Sequence, residues 1–137
     1  MNYKQIESRF DSEATIDTLL MDYEEKFDQV ETDGQTLSKG NVTNSQVEEI
    51  LKRQTGIYML LNIVTEIADT TKKREEGVLN YEKVQTCETD GKKVVQTQID
   101  KAVSKEVQHI RRVRNLFSAY RNSSDKCILS CQSILKK

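Results

Sequence analysis

Few side chains in this sequence could do chemistry, and their spacing limits what each could do. There is one histidine, His109, and there are three cysteines, Cys87, Cys127 and Cys131. Nucleophilic catalysis by serine or cysteine would have to recruit His109, because the base must reach the nucleophile by a hydrogen bond. Gln108 and Ile110 flank it, and no orienting carboxylate is adjacent. The expectation is a solvated histidine on a helix. Cys127 and Cys131 stand one helical turn apart, so they could supply two of the four ligands of a zinc site. Cys87 lies on the other side of an Asp90-Gly91 turn signal, far from both along the chain's expected path. Burial of Cys127 and Cys131 as small apolar side chains is expected instead, with no metal and no other cofactor.

Carboxylates recur at Asp17, Asp22, Glu24, Glu25, Asp28 and Glu31. Two carboxylates can act as general acid and base, but these fall on the outer face of an amphipathic helix, where acids are solvated. The five glycines are isolated, so no glycine-rich loop can cradle a phosphate, and the calcium-loop pattern is absent. No catalytic constellation emerges, and the chain reads as a non-enzyme.

Charge is small in total and uneven along the chain. Residues 1–91 carry 10 Lys and Arg against 19 Asp and Glu, a net of −9; residues 92–137 carry 11 against 3, a net of +8. Lys101, Lys105, Gln108 and Arg112 share one face at helical spacing, with Arg111 and Arg114 beside them. Such a stripe could follow nucleic-acid phosphates in a salt-sensitive, sequence-blind way or dock on an acidic protein. No aromatic alternates with these cations to form a single-strand stacking platform. The favoured expectation is an acidic helix lying beside a basic one, where flanking charges set orientation and add little net stability.

The elements that must position these residues are helices. The chain contains no proline, which removes the usual obstacle to long helices. Its 36% hydrophobic and 31% charged residues fit long amphipathic helices rather than a sandwich or a disordered chain. The densest apolar stretch is Gly56 to Ala68, with Ile57, Met59, Leu60, Leu61, Ile63, Val64 and Ile67. On a helix these cover more than one face, as in a segment packed on two sides.

Alternating steps of four and three define three seams. The first runs Ile16, Leu20, Tyr23, Phe27, Val30, Gly34, Leu37, between a Ser12 N-cap and a Gly40 stop. The second runs Val47, Ile50, Gln54, Ile57, Leu61, Val64, Ala68, opened by a Ser45–Glu48 capping box. Thr70 to Glu76 holds no apolar residue, but Val78, Leu79, Tyr81 and Val84 favour a continuing helix. The third runs Ile99, Val103, Glu106, Ile110, Val113, Phe117, Tyr120, Ser124, Cys127, Cys131, Ile134. A helix over 92–136 would be about 68 Å long at ~1.5 Å per residue. Gln54 and Glu106 are polar in apolar seams. Such a residue can fix register, but a side chain reaching sideways to solvent is expected for both.

The expected fold is all-α: an antiparallel up-down-up three-helix bundle with coiled-coil-like helices over about 12–38, 45–88 and 92–136. It forms one domain, 1–137. Folding about the two turns brings Leu19, Leu20 and Tyr23 level with Leu61 and Val64, and with Leu116, Phe117 and Tyr120. The first helix is too short to cover the far ends of the other two. Residues 78–99 are therefore expected to project as a helical hairpin, leaving Val78, Leu79, Tyr81, Val84, Val94 and Val95 in want of a partner.

Function follows from surfaces. The expected role is a non-catalytic structural or adaptor protein of a larger assembly, such as a phage or viral particle, a secretion apparatus or a cytoplasmic scaffold. It would bind a protein partner or a second copy of itself through the hairpin. The alternatives are a nucleic-acid-binding accessory protein using Lys101, Lys105, Arg111, Arg112 and Arg114, and a small inhibitor or immunity-type protein. No run approaches the ~18 apolar residues of a membrane span. With no export-type start after Met1 and an odd number of cysteines, a reducing intracellular setting is expected, inside a viral particle if that is the assembly.

Overall fold

The computed structural model describes residues 2–137; Met1, which belongs to the expected domain 1–137, lies outside the described residues. Five helices follow one another: α1 (Tyr3–Ser8), α2 (Glu13–Lys39), α3 (Asn44–Thr89), α4 (Gln96–Glu106) and α5 (Gln108–Leu135), with no strand among the described residues.

Local chemistry sets the boundaries. Ser12 caps α2, its hydroxyl accepting from the Thr15 N–H at 3.2 Å, and Gly40 ends it in the left-handed region at φ 72°, where glycine carries no Cβ penalty. The capping box of α3 is not Ser45–Glu48. It forms two residues earlier, where the Thr43 hydroxyl accepts from the Gln46 N–H at 3.2 Å and the Gln46 amide oxygen accepts from the Thr43 N–H at 2.9 Å. The motif is the same, displaced because Gln46 closes it as well as a glutamate would. From there α3 runs unbroken through Thr70 to Glu76 to Thr89. Its polar stretch is held by the i, i+4 pairs Asp69–Lys73 and Lys72–Glu76.

The expected third helix is corrected in two places. Residues 92–95 are not helical: no side chain caps Val95, and the β-branched Val94 and Val95 lower helix propensity at the start. A second interruption falls at Val107, with φ −95° and ψ 8°. The buried residues there are Ile99, Val103, Val107 and Ile110, so Val107 replaces the expected Glu106. Two successive steps of four rotate the apolar face by about 40° each on a straight helix. The break turns it back inward, and Glu106 points out to meet Lys83 at 2.7 Å.

α3 is the axis of the packing. Gln54, Asn62, Asp69 and Glu76 of α3 meet Ser124, Arg121, Arg114 and Arg111 of α5. The order is reversed, so these two helices run in opposite directions. Tyr23, Phe27 and Glu31 of α2 meet Phe117 and Tyr120 of α5 in the same order. The main core gathers Leu19, Tyr23, Phe27, Leu61, Val64 and Phe117, with Leu20 and Tyr120 against it. Leu116, expected at the same level, stays 37% exposed at the edge of a cleft outside the core. Phe117 is the hub, with the Tyr23 and Phe27 rings edge-on to it at 5.3 and 5.2 Å. Ile6 of α1 and the following Phe10 join this cluster, which completes the burial of Ile67.

The expectation that Gly56–Ala68 is packed on two sides is corrected. Its seam residues are buried, but Met59, Leu60 and Ile63 stay 62%, 41% and 48% exposed. α1 is too short to reach them, and α2 and α5 both lie on the other side. On the first seam, Leu19 rather than Leu20 is fully buried, a shift of one residue toward α3.

Replacing Phe117 by alanine empties the hub and should cost about 3–5 kcal/mol. Chemical denaturation checks it, and Leu116→Ala, at an exposed neighbouring site, should stay within about 1 kcal/mol.

Candidate functional site

The side chains singled out for chemistry are dispersed by the fold. His109 borders a cleft of about 400 Å³ at the start of α2, with Glu13, Asp17 and Arg112 among its lining. The fold therefore supplies the carboxylates that the flanking sequence lacks, but no serine or cysteine lines the cleft. No hydrogen bond joins His109 to either acid among the described residues. Cys127 and Cys131 are buried, and burial together with the Asp33 carboxylate pushes both thiols up. Burial of this kind opposes the thiolate, the reactive form of the group. Cys87 sits half-buried in the hairpin. Among the described residues no three His, Cys, Asp or Glu side chains converge as metal ligands. The α2 acids Asp17, Asp22, Glu24, Glu25, Asp28 and Glu31 point outward; Asp22 meets Arg9 at 3.2 Å, and Glu31 accepts from the Tyr120 hydroxyl at 2.6 Å, which with burial pushes that phenol up to about 12.

Sequence reasoning missed the most connected polar group. Asp33 is buried, and its carboxylate accepts a two-pronged contact from Arg53, Nε at 2.9 Å and Nη2 at 2.7 Å. It also accepts from Gln54 Nε2 at 2.7 Å and Gln29 Nε2 at 3.0 Å. Gln54 is fully buried, which corrects the expectation that it reaches solvent, and its amide oxygen accepts from the Ser124 hydroxyl at 2.8 Å. Side chains of α2, α3 and α5 thus form one satisfied layer between the main core and a smaller cluster of Val47, Ile50 and Cys131. Asp33 sits three residues after Val30, on the flank of the seam that faces α3. That position was the available signal.

Beside this layer, α2 and α5 leave an open groove of about 1150 Å³. Val30, Gly34, Tyr120, Cys127 and Ile134 border it, with Ser123, Ser130 and Ser133 along α5. Glu31, Lys39 and Lys126 also line it, with the Glu31 carboxylate held by the Tyr120 hydroxyl at 2.6 Å.

Val78, Leu79, Tyr81 and Val84 lie on α3, and Val94 and Val95 in the non-helical stretch before α4. Val78 and Tyr81 are 47% and 67% exposed, while Leu79, Val84, Val94 and Val95 are half-buried. Across the hairpin, Asn80 donates to Asp100 at 3.1 Å and Lys83 meets Glu106 at 2.7 Å. The buried Ile99 and Val103 lie on α4, which packs on this end of α3. The basic stripe is divided. Arg111 and Arg114 turn toward Glu76 at 3.0 Å and Asp69 at 3.7 Å. Lys101, Lys105 and Arg112 remain exposed and make no ion pair within the described residues. None of the five helices is long and apolar enough to cross a membrane.

No protein family, curated protein or solved structure matches this chain.

Burial alone would raise the Asp33 carboxyl, but hydrogen bonds from Arg53, Gln54 and Gln29 outweigh it and hold the group below the usual carboxylate range. The unfolded chain therefore binds more protons as pH falls below about 4. Stability present above that point is lost as pH drops through the folded value. Asp33→Asn should lower stability at pH 7 by about 1–3 kcal/mol and flatten the acid limb of a stability–pH curve measured by urea unfolding.

A second measurement reads the thiols. In native protein, brief alkylation followed by mass spectrometry should modify Cys87 alone. Cys127 and Cys131 should react only in denaturant.

Proposed function

We propose that this chain is a non-catalytic structural or adaptor protein whose working surface is the projecting hairpin formed by the end of α3 and α4. In this reading α2, α3 and α5 form an up-down-up bundle with coiled-coil-like packing, and the hairpin extends beyond it. The observation that carries the proposal is the exposure of Val78 and Tyr81 at a level where only two helices pack. Two helices bury apolar residues poorly, and large exposed side chains there are the mark of a docking surface. Leu79, Val84, Val94 and Val95, half-buried beside them, would complete an apolar strip for a protein partner.

A nucleic-acid or acidic-partner reading of Lys101, Lys105, Arg111, Arg112 and Arg114 ranks second. Arg111 and Arg114 are already matched to acids of α3, which leaves three cations for phosphates. A small inhibitor would use the same hairpin to block its target.

The test is a surface variant. Val78→Asp/Tyr81→Asp should keep the helical circular dichroism and unfolding midpoint of the parent. It should lose the chain's association with its partner, read as the mass of the complex purified from cells that naturally make the protein. Retained association would exclude the hairpin. A mobility shift on nucleic acid at low salt, abolished by Lys105→Glu/Arg112→Glu, would favour the second reading instead.

A further inference from the structure

Among the described residues the hairpin carries mostly opposite unpaired charge on its two limbs, the exception being Asp100 of the return limb, whose carboxylate accepts from the Asn80 and Gln96 amides instead of meeting a cation. On the outgoing limb, at the end of α3, Glu75, Glu82, Glu88 and Asp90 make no ion pair within the described residues; on the return limb the same holds for Lys92, Lys93, Lys101 and Lys105. Seven of these eight are exposed and Glu75 is half-buried. The cross-limb pair the hairpin does make, Lys83–Glu106, has the opposite sense, cation on α3 and anion on α4. The unmatched acids and lysines are therefore not left over from internal pairing.

We propose that the partner of the hairpin is a second copy of this chain. This inference rests on the hairpin being the working surface. Two hairpins lie side by side about a two-fold axis, each outgoing limb against the other's return limb. A two-fold contact repeats every pairing in reverse, so acid-to-lysine matches form twice. Both limbs of each copy are matched, and Leu79, on the flank of α3 beside α4, lies along the seam between the copies, with Val78 at its outer edge. A partner of a single charge would match one limb and repel the other, and this selects self over a generic acidic or basic protein.

Size sets the strength. About fifteen residues of α3 span ~22 Å, and two adjacent helices are ~20 Å wide. The face is then roughly 450 Å² per copy, at the low end of specific interfaces. A weak dimer held partly by exposed ion pairs should respond strongly to salt.

Sedimentation equilibrium of the purified full chain tests this. The expected result is reversible dimer formation at tens of micromolar protein in low salt, with Kd rising at least about tenfold at ~0.5 M salt. Lys101→Glu/Lys105→Glu and Glu75→Lys/Glu82→Lys should each be monomeric, with unchanged helical spectra. Mixed one to one, they should form a heterodimer, because every limb then meets its opposite. A monomeric parent at low salt, or a dimer indifferent to both reversals, overturns the proposal. So does the absence of a heterodimer from the mixture. If the parent is monomeric while Val78→Asp/Tyr81→Asp still abolishes association with another protein, self-pairing falls and the docking role of the hairpin stands.

Discussion

The arrangement of the long helices depends on the placement of one buried carboxylate. Asp33 is taken out of water, and an unpaired charge there would cost several kcal/mol. Only one alignment of α2 against α3 puts the Arg53 fork and the Gln54 amide on it together. Gln54 then presents its oxygen to Ser124 of α5, so the third helix is fixed by the second. Apolar seams with a repeat of seven tolerate a slide of one heptad. A slide here would strand Asp33, Gln54 and Ser124 at once, with a cost of about 1–3 kcal/mol for each unsatisfied group. The layer thus contributes more to uniqueness than to net stability, as a polar residue at a coiled-coil seam does.

Much of this was legible in the sequence, and the parts that were not share a physical reason. Every residue of the second seam, from Val47 to Ala68, is buried as its spacing requires, because that helix is covered by neighbours along the whole interval. Helix class and the meeting of Phe27 with Phe117 follow from periodicity and turn placement, which are local signals. The fate of Gln54 was not legible, because burial of an amide depends on whether another helix brings a partner, and Asp33 lies 21 residues away. The break at Val107 escaped for a related reason. A strict alternation of four and three steps passes through Glu106, and only contact with α3 shows that Val107 is the better fit. The exposure of Met59, Leu60 and Ile63 reflects the shortness of α1, which composition does not report.

Charge asymmetry has two destinations, and the structure separates them. Along the bundle, Arg111, Arg114 and Arg121 of α5 meet Glu76, Asp69 and Glu66 of α3. Much of the opposition between an acidic front and a basic back is spent on orienting helices within the molecule. Exposed pairs of this kind add little stability, commonly 0–1 kcal/mol each, but they disfavour the wrong pairing. Beyond Glu76 this matching thins out, and acids and lysines accumulate on opposite limbs of the hairpin.

The polar layer and the hairpin lie at opposite ends of α3, around Gln54 and around Tyr81, with the Phe117 core between them. A bundle whose register is set at one end leaves the other free to change its surroundings. Local stability follows buried apolar contacts, and among the described residues the end of α3 beyond Val78 and α4 bury only Ile99 and Val103. The hairpin's half-buried valines and Leu79 have area still to lose to water exclusion, as do the exposed Met59, Leu60 and Ile63 nearer the middle of α3. The asymmetry between a fixed end and an under-packed end is what argues for a docking role. A chain selected only to be a stable rod would gain from extending α2 over Val78, and this one instead turns aside at Ser12 into the short α1.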